Sequence, residues 1–241
     1  MSDSTRRLLI MGAAAASAVT LTGCGSRVSP FVEGGSTSRF SDRRPADRTL
    51  AGADHASVYG AMDGERFPIA AFDYGQLDPT FLRQEVAFAG GEAPGTIIVD
   101  PNARFLYRVE APGRATRYGV GTGREGFSWS GQATVHIKRD WPDWVPPREM
   151  VARDPEIRSQ LVSMQRGLGI PGGLKSPLGA RAMYLFAGRQ DTGYRIHGTT
   201  EPETIGTHVS SGCIRMVNHD VIHLYHRTPN GAKVVILPAT A

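Results

Sequence analysis

The chain has 241 residues and 40% of them are hydrophobic, which allows one ordinary domain with its own core and some appended segments. Its formal net charge is +4, carried almost wholly by arginine, because the only lysines are Lys138, Lys175 and Lys233. Arginine binds carboxylates and phosphates through pairs of parallel hydrogen bonds. No basic run is interleaved with aromatic residues, so the sequence predicts no nucleic-acid partner.

The first residues have the pattern of an export signal. Arg6 and Arg7 form a basic start, and the apolar run over residues 8–21 is too short to span a bilayer. The sequence Leu21-Thr22-Gly23-Cys24 follows and resembles a lipobox. We therefore expect a lipoprotein signal peptide over residues 1–23 and lipidation at Cys24. A plain secretory signal is the alternative, and the arginine pair leaves twin-arginine and general secretory export both open.

Residues 24–59 are rich in Ser, Gly, Arg, Asp and Pro and poor in aliphatic residues. Such a composition cannot bury enough surface to offset its ordering entropy, so this stretch is predicted to be a disordered tether. Gly25 and Ser26 follow Cys24, with no Asp beside it. In a Gram-negative host this favours a chain that is exported to the periplasm and lipid-anchored in the inner leaflet of the outer membrane. We expect a monomer.

The rest of the chain predicts an extension and one domain. Residues 60–94 are predicted to pack on the domain that follows, with a short helical turn at Asp78-Pro79. Residues 95–238 should contain helices that start at Pro155, capped by Asp154, and after Asn218 as N-cap. Strands are predicted at 96–100, 105–110, 115–120, 134–138, 182–186, 194–197 and 233–237. Many short strands with two or three short helices indicate a mainly β sandwich.

Cys213 and His197 are the candidate nucleophile and base. If Cys24 is lipidated, Cys213 has no second cysteine in the chain with which to form a disulfide, which is unusual for an exported protein. A lone cysteine with a histidine elsewhere in an enzyme-sized chain is typical of a thiolate nucleophile and its base. The alternative is a small buried apolar side chain, which most such cysteines are. The residues around the two decide between these interpretations.

His197-Gly198 is followed by a loop and then by Ser210-Ser211-Gly212-Cys213-Ile214-Arg215. This compound motif resembles the signature of the L,D-transpeptidase catalytic domain, the YkuD family, in its ErfK/YbiS-like branch. That signature is a His-Gly pair, a loop, then Ser/Thr-x-Gly-Cys, an apolar residue and Arg or Asn. Many relatives carry His where Ser211 stands here, at a position that varies. The resemblance extends upstream through Leu178-Gly179-Ala180 and Gly119-Val120-Gly121.

The resemblance implies roles for these residues. Cys213 would be the nucleophile and His197 the general base and acid, with the Gly198 carbonyl orienting the imidazole. The N–H groups of Gly212 and Cys213 would be the oxyanion donors. Arg215, Ser210, Ser211 and Trp144 would bind substrate, although Arg215 could instead form a structural salt bridge. No cofactor or metal is implied.

The implied function is a cysteine acyltransferase of cell-wall biogenesis, with peptidoglycan stem peptides as its substrate. The thioester formed on cleavage between the diamino acid and D-alanine would pass to an amine, either on another stem or on an envelope protein. Two alternatives stay open. One is an L,D-carboxypeptidase or hydrolase on the same fold, with water as acceptor. The other is a non-catalytic peptidoglycan-binding lipoprotein.

Two further motifs carry weaker signals. The proline-rich segment that begins at Trp141 and contains Trp144 could line the substrate groove, or it could be ordinary packing. His219 and His223 stand four residues apart on one predicted helix, as the two histidines of a zinc-binding H-E-x-x-H motif do. No convincing further ligand accompanies them, so we expect solvent-facing helix residues there.

Overall fold

A nine-stranded sheet forms the centre of the computed structural model, which describes residues 54–123, 129–210 and 212–239, with residues 209 and 210 given by their backbone alone. All of the described residues belong to one unit of the chain, 36–241. The predicted signal peptide, Cys24 and most of the predicted tether lie outside the described residues, as does Ser211. No helix of the described ranges is long and apolar enough to cross a bilayer.

The strands run in chain order as β1 Gln84–Ala87, β2 Ile97–Asp100, β3 Phe105–Ala111, β4 Arg114–Gly119, β5 Thr122–Gly123, β6 Gly131–Asp140, β7 Val162–Met164, β8 Gly167–Gly169, β9 Arg181–Ala187, β10 Gln190–His197, β11 His208–Ser210, β12 Ile214–Arg215 and β13 Lys233–Ile236. The large sheet has the order β1-β4-β3-β2-β13-β6-β9-β10-β12, and the pairs β5-β11 and β7-β8 form two small sheets.

Within the described residues, four α-helices accompany the strands: α1 His55–Val58, α2 Arg148–Arg153, α3 Pro155–Gln160 and α4 Asn218–His226. Single 3-10 turns occur at Tyr74–Gln76, Pro79–Phe81 and Pro202–Thr204. The short turn predicted at Asp78-Pro79 is confirmed, and the Asp78 side chain accepts the backbone N–H of Thr80. The mainly β fold class with a few short helices is confirmed.

Apolar side chains on both faces of the large sheet form its two cores. Ile97 and Val99 of β2 join the main core, whereas Ile98 between them joins a second core on the opposite face, as the two-residue period of a strand requires. Helix α4 closes the main core with Val221 and Leu224, both fully buried. This packing fixes α4 against the sheet.

Of the two predicted N-cap residues, Asp154 is confirmed and Asn218 is not. Asp154 caps α3 as predicted, because its carboxylate accepts the N–H groups of Glu156 and Ile157. The N-cap role predicted for Asn218 is wrong: α4 begins at Asn218 itself, Val217 is the capping residue, and no side chain caps the helix. The side-chain amide of Asn218 instead forms hydrogen bonds with the backbone of Ala180 and Thr199.

The segment before the sheet packs on α4. The last residues of the predicted tether form α1 and the buried Tyr59, which is 1% exposed. Tyr59 donates a hydrogen bond to Asp220 Oδ2 (3.1 Å), and the carbonyl of Gly60 accepts one from His219 Nε2 (2.8 Å). Tyr59, Leu77 and Leu82 share an apolar cluster with residues near the candidate site. Residues 54–59 of the predicted tether are therefore part of the folded structure.

Candidate active site

Strand pairing brings Cys213 next to the strand that ends in His197. β12 pairs in parallel with β10, so that Ile196 lies opposite Ile214 and His197 opposite Arg215. The N–H of Met216 also donates to the carbonyl of His197 (2.9 Å). By this register Cys213, one position before β12, lies beside Arg195. The two candidate catalytic residues are sixteen positions apart in sequence, and this pairing brings the start of β12, next to Cys213, against the strand that ends in His197.

The imidazole of His197 is oriented by the next peptide. His197 is buried, and its Nδ1 lies 2.5 Å from the carbonyl oxygen of Gly198. A carbonyl oxygen only accepts hydrogen bonds, so Nδ1 carries the proton and Nε2 of the neutral ring is left as a proton acceptor. This is the tautomer that a general base needs. The contact has the geometry that the resemblance implied for Gly198.

Asn218 supports the Gly198 peptide, and the sequence analysis missed this. Its Oδ1 accepts the N–H of Ala180 (2.9 Å), and its Nδ2 donates to the carbonyl of Thr199 (3.1 Å). The N–H of Gly198 donates to the carbonyl of Arg181 (3.0 Å). These bonds hold the backbone on both sides of the Gly198 carbonyl, and so fix the acceptor that orients His197.

The same contacts explain two glycines of the motif. A Cβ on Gly198 would stand 2.2 Å from Asn218 Oδ1, and one on Gly179 would stand 2.3 Å from the same atom. Gly179 also has a φ of +61°, which an L-residue rarely adopts. The close approach of Asn218 therefore requires glycine at both positions.

Gly212 has a backbone conformation that favours glycine, with a φ of +119°. The sharp turn that this permits leads directly into Cys213. The oxyanion role of the Gly212 and Cys213 N–H groups stays a prediction.

Burial keeps the candidate nucleophile and base electrically neutral. It lowers the pKa of His197 to about 4, against the opposing effect of the Gly198 carbonyl, and the charges of Arg215 and Arg195 lower it further. Burial also raises the pKa of the Cys213 thiol, while a hydrogen bond from the Arg195 backbone and the charges of Arg195 and Arg215 act in the opposite direction. The resting site is thus a thiol beside a neutral imidazole.

Arg195, a second residue that the sequence analysis missed, is held in place by Asp191. Its Nη1 and Nη2 lie 2.7 and 2.8 Å from the two carboxylate oxygens of Asp191, a bidentate pair. Its guanidinium also lies over the ring of Tyr184. The pair anchors a positive charge near Cys213. A strand-end Asp-x-x-x-Arg spacing was its only sequence signal.

Arg215 forms a salt bridge within the protein, which was the alternative to its predicted role in substrate binding. Its Nη1 lies 2.5 Å from Glu201 Oε2, and its backbone pairs with Gly121 through bonds of 3.0 and 2.9 Å. The side chain is still 23% exposed. Its role as a ligand for a substrate carboxylate stays a prediction.

The other predicted substrate-binding residues are Ser210, Ser211 and Trp144, and the structure describes a side chain for Trp144 among them. The backbone of Ser210 belongs to β11, opposite Gly123 of β5, and its side chain lies outside the description, as does Ser211. Trp144 is half-buried and exchanges two backbone hydrogen bonds with Ile170 (2.9 and 2.8 Å). Trp141 is buried, and its indole N–H donates to Glu65. These contacts secure the segment that contains both tryptophans.

The expectation that His219 and His223 face solvent is wrong. His219 is 4% exposed and donates to the carbonyl of Gly60, and His223 shares a hydrogen bond with the Tyr118 hydroxyl (2.8 Å). The segment before the sheet covers the His219 ring, whereas His223 is half-buried against Tyr118 of β4. Among the described residues, no group of three or more His, Cys, Asp or Glu side chains could hold a metal ion.

Comparisons with known proteins agree with the motif. A family model described as the L,D-transpeptidase catalytic domain, YkuD, matches residues 94–236. The putative L,D-transpeptidase YkuD of Bacillus licheniformis is 48% identical over 182 residues, which cover 75% of this chain and 99% of that protein. The probable L,D-transpeptidase YcfS of Escherichia coli is 32% identical over 146 residues, 59% of this chain and 43% of that protein. The chain thus spans less than half the length of this relative.

Among solved structures, the chain is similar to one described as a probable carnitine operon oxidoreductase from Brucella melitensis. The two are 46% identical, with 68% of this chain and 99% of that one covered and a TM-score of 0.43. The family model covers more than half of the sequence and includes both the His197-Gly198 pair and the Cys213 segment. The chain therefore belongs to the L,D-transpeptidase catalytic domain (YkuD) family.

Proposed function

We propose that the chain is a peptidoglycan L,D-transpeptidase that uses Cys213 as nucleophile and His197 as base. The observation that carries this proposal is the 2.5 Å contact between His197 Nδ1 and the Gly198 carbonyl, which leaves Nε2 as proton acceptor. The pairing of β10 with β12, the strand that directly follows Cys213, supports it as well.

In the acylation step the thiol proton passes to His197 Nε2 while the sulfur attacks the carbonyl carbon between the diamino acid and D-alanine of a tetrapeptide stem. The carbonyl oxygen becomes an oxyanion, for which the N–H groups of Gly212 and Cys213 are the proposed donors. The intermediate collapses, His197 gives its proton to the departing amine of D-alanine, and a thioester remains on Cys213. The charges on Arg195 and Arg215 favour the thiolate of Cys213.

In the second step an amine attacks the thioester. His197 takes a proton from the attacking nitrogen, the carbon–sulfur bond breaks, and the proton returns to the Cys213 sulfur. The acceptor is the diamino acid of another stem or an amino group of an envelope protein. A hydrolase differs only at this step, because water replaces the amine. No observation favours that second candidate.

Purified muropeptides incubated with the full chain, and analysed by mass spectrometry, test the proposal. Cross-linked dimers with release of D-alanine are the expected products, whereas shortened monomers would indicate a hydrolase. Cys213→Ser should abolish turnover, because a hydroxyl is far less acidic than a thiol and His197 is oriented only by a carbonyl. Unchanged substrate with folded wild-type protein would indicate a binding lipoprotein, and wild-type turnover by Cys213→Ser would remove the nucleophile.

We also propose that Cys24 is lipidated and that the protein works from the outer membrane. The Leu21-Thr22-Gly23-Cys24 sequence motivates this proposal. Cys24→Ala should then move the protein from the membrane fraction to a soluble or unprocessed form. An unchanged distribution and unchanged processing would contradict it.

A further inference from the structure

A cavity of about 210 Å³ lies beside the C-terminal half of α4, away from the Asn218 end that supports Gly198. Arg83, Thr116, His223 and Arg227 line it, together with Glu85. Two guanidinium groups, a hydroxyl and an imidazole therefore converge on one space, from the residue before β1, from β4, from α4 and from the residue that follows α4.

Arg83 presents hydrogen-bond donors to this cavity that no described residue satisfies. Its side chain is only 14% exposed, and its Nε lies 3.7 Å from Asp220 Oδ1. Neither of its Nη groups has an acceptor among residues 54–123, 129–210 and 212–239. A guanidinium carries five N–H donors in a fixed fork. The Nη groups of Arg83 are therefore available to an anionic acceptor that enters the cavity.

Arg227 adds a second cation on the same cavity. Its Nη2 donates to Glu110 Oε2 (2.7 Å), and its Nη1 has no acceptor in the described part of the chain. Burial lowers the pKa of His223 to about 4, and the charges of Arg83 and Arg227 contribute to this more than Glu110 opposes it. The potential at the imidazole is therefore positive.

Each acidic group around the cavity has at least one donor or cation beside it, and Asp220 Oδ1, which accepts no hydrogen bond from the described residues, lies 3.7 Å from Arg83 Nε. Asp220 accepts from Tyr59, and Glu110 accepts from Thr116 as well as from Arg227. Glu85 pairs with Arg114. Because Asp220 and Glu110 each offset part of one guanidinium charge, the space suits a singly charged acceptor better than a dianionic phosphate.

We propose that this cavity is a binding site for a carboxylate group, held by Arg83 and Arg227. A carboxylate matches the planar fork of a guanidinium and accepts two parallel N–H bonds from it. The source of the carboxylate is either a small free acid or the C-terminus of a peptide. The proposal does not depend on catalysis by Cys213, because it concerns binding at a different set of residues.

Nuclear magnetic resonance with the full chain tests the proposal by following the His223 ring signals. Sodium acetate represents the free acid and N-acetyl-D-alanine the peptide terminus, each titrated against sodium chloride at constant ionic strength. Saturable shifts of the His223 signals are expected. Tighter binding of N-acetyl-D-alanine than of acetate would assign a peptide terminus, and equal affinities would assign the free acid.

Two variants and a control localise the binding. Arg83→Lys keeps the positive charge that faces Asp220 but removes the planar guanidinium that can donate two parallel hydrogen bonds. Arg227→Gln removes the second positive charge. Each should weaken binding by about tenfold or more, as loss of a charged hydrogen bond does. Arg189→Gln removes an exposed arginine outside the cavity and should leave binding unchanged. If Arg83→Lys does not fold, Arg227→Gln carries the test.

Three outcomes would overturn the proposal. One is the absence of saturable His223 shifts at tens of millimolar carboxylate. Another is equal weakening in Arg227→Gln and Arg189→Gln. The last is a phosphate affinity far above that of either carboxylate, since that would mean the site recognises a different anion.

Discussion

Cys213 and His197 are each held in the protonation state that suits a general base mechanism rather than a preformed ion pair. Burial raises the pKa of the thiol and lowers that of the imidazole to about 4, so at neutral pH the sulfur keeps its proton. Proton transfer then accompanies attack on the substrate. Many reactive cysteines instead rest as thiolates.

This electrostatic state predicts slow alkylation of Cys213 by iodoacetamide at neutral pH. The rate should rise steadily as the pH exceeds the usual range of a cysteine thiol, because only the thiolate reacts. Intact-protein mass spectrometry across a pH series measures it, with urea-unfolded protein as the reference for an ordinary cysteine. A rate that is already at its plateau below pH 7 would show that the resting site is an ion pair.

Asn218 should act on catalysis through the position of His197. Asn218→Ala removes the bonds to Ala180 and Thr199 and so loosens the Gly198 carbonyl. We expect kcat to fall by roughly 10- to 100-fold with little change in KM, since a misplaced base affects the chemical step.

A matched control for Asn218 is Asn102→Ala, which removes a side-chain bond to the Pro238 carbonyl at a distant site. It should leave kcat unchanged. The nitrogen chemical shifts of His197 provide an independent measurement, because the Nδ1–H tautomer should become less populated in Asn218→Ala. A folded Asn218→Ala with wild-type kcat and shifts would contradict the role.

At the scale of elements, the segment before the sheet completes the face of α4. The Tyr59 hydroxyl donates to Asp220 Oδ2 and accepts the backbone N–H of Arg83 (2.8 Å). Asp220 is buried, and burial raises its pKa to about 6, while Arg83 and the Tyr59 hydrogen bond oppose that rise. One hydroxyl therefore joins three separate segments.

Tyr59→Phe should lower the free energy of unfolding by about 1–3 kcal/mol, because it leaves a buried carboxylate oxygen and a backbone N–H without this partner. Urea unfolding followed by circular dichroism measures the change. The matched control is Tyr74→Phe in the same aromatic cluster, whose hydroxyl has no hydrogen-bond partner in the described part of the chain. Equal losses in the two variants would refute the role of the Tyr59 hydroxyl.

Most of the strands longer than three residues and the two catalytic candidates could be predicted from the sequence because their signals are local. A run of β-branched residues such as Ile97-Ile98-Val99 marks a strand, and the motif around Cys213 marks the site. The two-residue strand β12 is too short for any periodic signal, so its pairing with β10 needed the structure. His219 was misplaced because Tyr59, which contacts it, comes from a stretch with the composition of a tether, and His223 because its partner Tyr118 lies far away in the sequence, on β4.

At the scale of the whole molecule, the buried histidines should make stability depend on pH. The pKa of His197 and that of His223 are each lowered from 6.5 to about 4, so the unfolded chain binds more protons between these values. The contribution of these two histidines to the free energy of unfolding is present above pH 6.5 and is lost as the pH falls toward 4. The raised pKa of Asp220 acts oppositely: its contribution is present below about pH 4 and is lost as the pH rises through about 6.

Because two histidine shifts oppose one smaller carboxyl shift, the free energy of unfolding should fall on acidification from pH 6.5 to 4. His223→Gln should remove on the order of 2–3 kcal/mol of that fall. Urea unfolding at several pH values provides the measurement. The exposed His226, on the same helix, supplies the control His226→Gln, which should keep the wild-type slope. An identical slope in His223→Gln would refute the linkage.

The contacts between Tyr59, Arg83 and α4 also bear on where this protein can be cut. The family match begins at residue 94, but a fragment that starts there would lose the groups that cover His219 and Asp220. Its buried carboxylate would face water beside an uncovered apolar surface. The smallest autonomous unit is therefore longer than the stretch that the family model matches and includes Tyr59 and Gly60. A shorter recombinant fragment should aggregate even though it holds every residue of the motif.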